Sequence, residues 1–400
     1  LKHGCAVPLI GGLSVAAKKV TGVDPAFLIS YTPFTENEQN VKSYFPETPH
    51  YLLDTENYGG FDPKLHQDTD FVQALCPCAG LSQLSNGSQD HRDQMNYWML
   101  ETARLVTEEV RPKVFWGENA SALYTNSGKH VREQLRATAE KNGYSFSLYH
   151  TNTMFHGIPQ NRKRSFYFFW RDSTAPIFDY YRKPLKNLSD YLSEVPVGVK
   201  HHTQEDLDNA REHLAADPFV IFLQTKYQGT GIDMIRKFLD DTDTRGTTMT
   251  SYLLATDQLA EARDWLLTNG YHRQAKEAGR IIEKTLTGGR FWDSSFPIYR
   301  GSAEFSTLIA RTFLAIHPTE DRVITTREAM HLMGLPNDFE LTSGCENHVC
   351  QNVPVSTGSD MVREVIKFIK GESKLSNSTF LMQSNLAQRI DCQESSLLEF

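Results

Sequence analysis

The sequence predicts an α/β fold, a doubly wound and mostly parallel sheet interrupted by a second, smaller helical lobe. Three observations lead there. Short apolar runs alternate with amphipathic stretches over the first 170 residues. Between about 172 and 304 that rhythm stops, and helical patterns with irregular turns take over. It returns weakly near Thr307–Ile316 and ends in an amphipathic helix over Met361–Ile369.

Taken in order, the expected strands are Cys5–Ile10, Ala26–Tyr31, Tyr51–Asp54, Asp70–Leu75, Val114–Gly117, Ser145–His150 and Ser165–Trp170. Met95, Met99, Ala103, Val106 and Val110 fall at helical spacing between the fourth and fifth. The expected domains are 1–171, an inserted lobe at 172–304, and a closing part of the first domain at 305–372. The remainder, 373–400, is rich in Ser, Asn and Gln and is expected to be a poorly ordered tail. On a sheet of this kind, ligands bind beyond the carboxyl ends of the strands.

Composition narrows the class. Forty per cent hydrophobic and 22 per cent charged residues describe an ordinary soluble globular protein. No apolar run reaches membrane-spanning length, and no basic-then-apolar leader opens the chain. A start at Leu1 rather than Met fits the loss of a few residues. Six cysteines in 400 residues are too sparse for a disulfide scaffold and point to a reducing, cytoplasmic setting. A net charge of −8 means that any nucleic-acid contact must come from local basic patches. One such stripe is Arg273, Lys276, Arg280 and Lys284, spaced along one helical face, which suits either phosphates or plain solvent.

Three stretches carry chemistry. In Asp70-Phe-Val-Gln-Ala-Leu-Cys-Pro-Cys-Ala-Gly-Leu-Ser82, an apolar strand ends in Pro77-Cys78 and a small-residue turn. A thiol on a rigid loop at the sheet edge suits a nucleophile, although a buried structural Cys or a Cys76–Cys78 metal pair would fit the stretch alone. In Lys113-Val-Phe-Trp-Gly-Glu-Asn-Ala120, a second strand ends in Glu118-Asn119. Desolvation in a cleft would raise the Glu118 pKa and let it donate a proton to a ring nitrogen, where a solvated turn is the alternative. In Gly157-Ile-Pro-Gln-Asn-Arg-Lys-Arg164, the alternating Gln160, Arg162 and Arg164 share one face of an extended segment. Two guanidinium groups and an amide there suit a carbonyl oxygen and phosphates, or a solvated basic loop.

Together and in this order, the three stretches resemble the DNA cytosine-5 methyltransferase family, in a divergent prokaryotic or phage-like form. Further matches surround them: Ile10-Gly-Gly-Leu-Ser14, Asp90-x-Arg92, Asn142-Gly-Tyr144, His317-Pro318 with Arg322 and Thr326-Arg-Glu328, Gly334-Leu-Pro336, and Gln351-Asn-Val-Pro354. The gap in the resemblance, 172–304, is where the family places its target-recognition domain. The resemblance implies a Rossmann-like sheet, S-adenosylmethionine as donor, no metal, and base flipping on double-stranded DNA by a monomer, in a restriction-modification setting. It also implies roles. Cys78 would add to cytosine C6, Glu118 would hold and protonate N3, and Arg164 would contact O2 with Arg162 near phosphate and thiol. Pro77, Ser82, Asn119 and Gln160 would shape the substrate site. Pro8, Leu9, Ile10, Gly11, Gly12, Leu13, Pro33, Glu36, Asp54, Asn352 and Val353 would line the donor site.

The chain departs from the family at that donor site. The usual Phe-x-Gly-x-Gly-Gly reads Val7-Pro8-Leu9-Ile10-Gly11-Gly12, and Thr32 stands where an acidic residue would hold the ribose. A rearranged adenosine site is therefore expected. An RNA (tRNA) cytosine-5 enzyme and a catalytically silent DNA-binding homologue are the competing readings. The five retained residues Cys78, Glu118, Gln160, Arg162 and Arg164 argue against silence, and the long insert favours DNA.

Overall fold

The computed structural model describes residues 1–32, 34, 38–53, 59–76, 80–81, 89–289, 291, 293, 295–308, 315–342, 344 and 346–386, apart from the side chains of 89–93 and 347. Two compact units emerge, residues 1–185 with 333–400, and residues 186–332. Among the described residues, no helix is long and apolar enough to cross a membrane.

The first unit runs β1 (His3–Ala6), α1 (Gly12–Thr21), β2 (Phe27–Tyr31), α2 (Glu38–Tyr44), β3 (His50–Leu53), β4 (Phe71–Ala74) and α3 (Gln89–Leu105). It continues through β5 (Val114–Ala120), α4 (Lys129–Lys141), β6 (Tyr144–Asn152), β7 (Gln160–Asn161) and β8 (Lys163–Arg171). The second unit contains α5 (Leu188–Leu192), α6 (Gln204–Ala215), α7 (Pro218–Lys226), α8 (Gly231–Asp241), β9 (Gly246–Thr248), α9 (Met249–Ala255), α10 (Leu259–Thr268), α11 (His272–Leu286), β10 (Pro297–Tyr299), β11 (Phe305–Ser306) and α12 (Thr326–Leu332). The chain then returns to the first unit with α13 (Val355–Ile369) and β12 (Phe380–Ser384).

Eight strands form the main sheet in the order β12-β6-β8-β5-β4-β1-β2-β3. All run parallel except β8, which pairs antiparallel with both β5 and β6. Alternation along the strands explains the two covered faces. Trp116, Phe166, Phe168 and Trp170 pack with Leu13 and Ala17 of α1 and with Met361 and Val365 of α13. Phe115, Tyr167 and Phe169 face the other way, with Met99 and Ala103 of α3 and Leu135 of α4. Winding proceeds outward from β1 on one side and from β4 on the other. The switch point therefore lies between them, flanked by the loop after Ala6 and the loop after Ala74.

Several expected boundaries move, each for a physical reason. The first strand ends at Ala6, not Ile10, because Val7 (φ 48°) and Leu9 (φ 50°) turn left-handed and leave the ladder. The fifth strand extends to Ala120, because its antiparallel neighbour β8 keeps pairing as far as Ala120 with Arg164. The expected helix over 95–110 begins at Gln89, and its end, Val106–Val110, winds as a π-turn closed by Arg111 N–H to Val106 O. The last helix starts at Val355, six residues ahead of Met361, directly after Pro354 at its N-cap. The tail expected from 373 is corrected in part. Residues 380–384 pair in parallel with β6, with Phe380 and Met382 packed on one core and Leu381 on the other.

The insert's boundaries differ as well. Residues 305–332, expected to close the first domain, belong to the second unit. The cause is apolar: Ile316 bridges Ile298 and Val323, and all three join the core of Leu223, Ile235, Leu253, Leu266 and Ile281. Within this unit Arg322 makes two 2.7 Å bonds to the Glu328 carboxylate, which secures α12. The α11 helix turns Ala275, Ala278 and Ile281 inward and exposes Arg273, Lys276, Arg280 and Lys284.

Candidate active site

The β5–β8 ladder builds the acid–arginine half of the site. Glu118 and Arg164 both follow the face of Trp116 and Phe166, with Arg164 in the last pair of the ladder and Glu118 two positions before its end. Arg164 Nε lies 2.7 Å from Glu118 Oε1, yet that oxygen accepts no aligned hydrogen bond. Glu118 is 3 % exposed. Burial raises its pKa, and the charges of Arg164 and Arg162 only partly offset that rise. A protonated carboxyl with unused hydrogen-bonding capacity can donate to a ring nitrogen. Position 117 must be glycine, since a Cβ there would meet Tyr167 Oη at 2.3 Å and Ala74 O at 2.7 Å.

Alternation along 160–164 sorts the residues as the sequence predicts. Gln160 and Arg162 are buried and Arg164 is half-buried, while Lys163 is exposed. Gln160 Nε2 reaches Met333 Sδ at 3.6 Å, and Arg162 Nη2 donates to Asn352 O at 3.1 Å. Asn119 is fully buried, with Nδ2 on Met99 Sδ at 3.4 Å and Oδ1 accepting from Ala120 N–H at 2.8 Å. Cys76 is buried, and its thiol pKa is pushed up to about 11 by desolvation. Tyr167 Oη lies 4.0 Å from its sulfur, so the residue is a packed anchor at the root of the loop.

At the switch point, Val7, Leu9 and Gly11 (φ 105°) all adopt left-handed backbone. Leu9 thus keeps the conformation that glycine takes without strain, at a cost of roughly 1–2 kcal/mol. Its half-buried side chain packs against both cores of the unit. Asn352 closes the turn, with Oδ1 accepting from Gly12 N–H at 3.2 Å. Gly12 has no alternative, because a Cβ would fall 2.2 Å from Asn352 Nδ2. Pro8, Ile10, Leu13 and Val353 are buried around it.

Beside this turn the fully buried Asn352 Nδ2 has no partner among the described residues, and the buried Ser14 hydroxyl has only the Cys5 thiol near it. An orphaned amide donor next to a glycine turn fits the polar end of an amino-acid-bearing donor. Thr32, at the expected ribose position, is exposed and carries no carboxylate. Pro33, Glu36, Asp54, Pro77, Cys78 and Ser82 lie outside the described residues.

The structure therefore brings together Glu118, Gln160, Arg162, Arg164, Asn352 and the Gly11–Gly12 turn. One link escaped the sequence reading. Asn352 binds Arg162 through its carbonyl and Gly12 through its side chain, so it ties the arginine segment to the turn. Its residues lie 190 and 340 positions apart, and only the fold reveals the contact.

The family model for C-5 cytosine-specific DNA methylases matches residues 10–369. The chain belongs to that family. It is 31% identical over 134 residues to the type II methyltransferase M.AgeI of Thalassovita gelatinovora, covering 32% of this chain and 30% of that one. It is 23% identical over 319 residues to DNA (cytosine-5)-methyltransferase 2 of Arabidopsis thaliana, covering 70% of this chain and 20% of the relative. The matches to these curated relatives thus span under a third of the relatives' own length. The fold is shared with the solved structure of a candidate DNA modification methyltransferase encoded within an E. coli prophage. The TM-score is 0.55 at 16% identity, covering 93% of this chain and 100% of that one.

Proposed function

We propose that this chain is a DNA cytosine-5 methyltransferase that works through a covalent Cys78 adduct on a flipped-out cytosine. The observation that carries the reading is Glu118, a buried acid with raised pKa beside Arg164 at the sheet edge. Cytosine C5 is a weak nucleophile. Cys78 thiolate adds to C6 while Glu118 gives its proton to N3, so the ring becomes a neutral enamine whose C5 is nucleophilic. Arg164 faces the ring's O2, and Arg162 stands behind it, fixed to Asn352. S-adenosylmethionine, when bound, supplies an electrophilic methyl group on a sulfonium. Asn352, Ser14 and the Gly11–Gly12 turn would hold its methionine end. After transfer, loss of the C5 proton and elimination of the thiol restore the aromatic ring, and N3 returns its proton.

In this reading residues 186–332 select the DNA sequence, with the exposed Arg273–Lys284 face of α11 following phosphates. Double-stranded DNA is the substrate favoured over RNA, because an extra unit of this size has a use in reading a duplex. Bisulfite sequencing of DNA from cells expressing the chain tests the activity. A discrete set of protected cytosines is expected with wild type and none with Cys78→Ser. An unprotected genome with well-expressed wild type refutes the reading.

A further inference from the structure

We propose that His156 and Asp360 form a positioning pair that holds the base-contacting segment Gln160–Arg164 at a fixed distance from the donor turn. This inference rests on the methyltransferase reading and assigns a role to residues outside the reacting groups.

His156 closes the short turn Thr153–His156 between β6 and β7, and Asp360 sits in the second turn of α13. Both side chains are fully buried, with His156 Nδ1 2.8 Å from Asp360 Oδ2. On the other side of the ring, Nε2 lies 2.9 Å from Thr151 Oγ1. Asn385 Nδ2, just beyond β12, donates to the same hydroxyl at 3.2 Å. The Thr151 hydroxyl is therefore free to donate to Nε2, which leaves the proton on Nδ1 to donate to Asp360. Every donor has an acceptor in that arrangement. Lys183 Nζ donates to Asp360 Oδ1 at 2.7 Å, and Arg363 pairs with the same oxygen. Burial favours the neutral imidazole, whose pKa lies below its usual value despite the neighbouring carboxylate.

The pair reaches the site through the main chain. Thr153 donates to Arg162 O through both N–H and Oγ1, at 3.0 and 3.2 Å. Ser356, in the first turn of α13, donates to His156 O. The segment 153–162 is thus held at two positions, at His156 by Asp360 and Ser356 of α13 and at Arg162 by Asn352 just ahead of that helix. Asn352 is also the residue that binds Gly12. Two anchors fix an orientation where one would leave a hinge. Packing alone would not require a buried carboxylate with polar partners here, since hydrophobic replacements of buried charged groups and their partners are often neutral or stabilising. A directional network that defines one geometry does.

Two substitutions separate the two ends of the imidazole. In His156→Asn the amide nitrogen replaces Nδ1 and keeps the bond to Asp360. In His156→Gln the amide oxygen replaces Nε2 and keeps only Thr151. The measurements are single-turnover methyl transfer to DNA, adduct formation on DNA carrying 5-fluorocytosine, and calorimetric affinity for S-adenosylmethionine. We expect His156→Gln to slow both reactions by about 10- to 100-fold, as misplacements near 1 Å do. Donor affinity should stay within about twofold, and His156→Asn should recover most of the lost rate. A wild-type rate in His156→Gln, or an Asn variant as slow as the Gln variant, overturns the assignment. If His156→Gln does not fold, Ser356→Ala loosens the same turn from a half-buried position. It should slow methyl transfer severalfold at unchanged donor affinity, and an unchanged rate overturns the proposal. An inactive wild type would overturn the underlying activity as well, whereas active wild type with unaffected variants overturns the positioning role alone.

Discussion

The acid–arginine ladder and the turn at Val7–Gly12 lie at the same edge of one sheet, where the parallel strands β1 and β5 end and the antiparallel β8 begins, and their proposed roles rest on different parts of the chain. At Glu118, Arg162 and Arg164 the chemistry resides in side chains, and the sequence retains every one of them. At Val7–Gly12 the aromatic and first glycine of the family motif are missing, and Val7, Leu9 and Gly11 all take left-handed backbone. A site that works through backbone conformation and N–H groups tolerates side-chain drift, provided the strain of a non-glycine αL residue is borne elsewhere. A site that works through a carboxyl proton and guanidinium groups does not.

Substitutions in the ladder should be the more severe. Glu118→Gln keeps the shape and removes the transferable proton, so methyl transfer should fall about 10²- to 10⁴-fold in single-turnover assays. Its effect on stability should run the other way. A raised folded-state pKa means that Glu118 favours the folded state below its unfolded pKa, and that this contribution is lost as pH rises through the folded value. Glu118→Gln should therefore melt above wild type at pH 8, with the gap closing toward pH 4. A variant less stable than wild type at pH 8 would mean that the arginines, not burial, govern the group.

Arg164→Met should cost less, about 10²-fold, the usual loss for one preorganised donor to a developing charge. It also removes a cation that lowers the Glu118 pKa. The carboxyl then stays protonated to higher pH, and the alkaline limb of the pH–rate profile should move upward. A downward move would contradict the pairing.

The turn should respond mildly. Leu9→Gly relieves about 1–2 kcal/mol of backbone strain and loses part of one leucine's burial, worth about 1.5–3 kcal/mol when complete. Thermal stability should change little, and S-adenosylmethionine affinity by calorimetry should tighten severalfold. Loss of donor binding would show that the Leu9 side chain, not the backbone, does the holding.

The sheet and the ladder were legible because parallel strands buried on both faces advertise themselves as apolar runs, and alternation assigns faces to Gln160, Arg162 and Arg164. Less could be read where the determinant is tertiary. Val7–Ile10 has strand composition, and the left-handed backbone at Val7 and Leu9, leading into the Gly11–Gly12 turn closed by Asn352, takes it out of the ladder. Residues 305–332 resemble the closing part of the family domain, but Ile316 and Val323 fill the core of the other unit. The polar stretch before β12 disguises an edge strand whose Phe380 and Met382 are useful only once β6 lies beside them. His156 and Asp360 are 204 residues apart and belong to no local pattern.

The most direct test uses duplex DNA with 5-fluorocytosine at the methylated position, incubated with S-adenosylmethionine and resolved under denaturing conditions. Fluorine cannot leave C5 as a proton does, so wild type should accumulate a stable protein–DNA adduct and Cys78→Ser should give none. Methylation of ordinary DNA without any trapped adduct, or an adduct that survives in Cys78→Ser, would contradict covalent catalysis by Cys78.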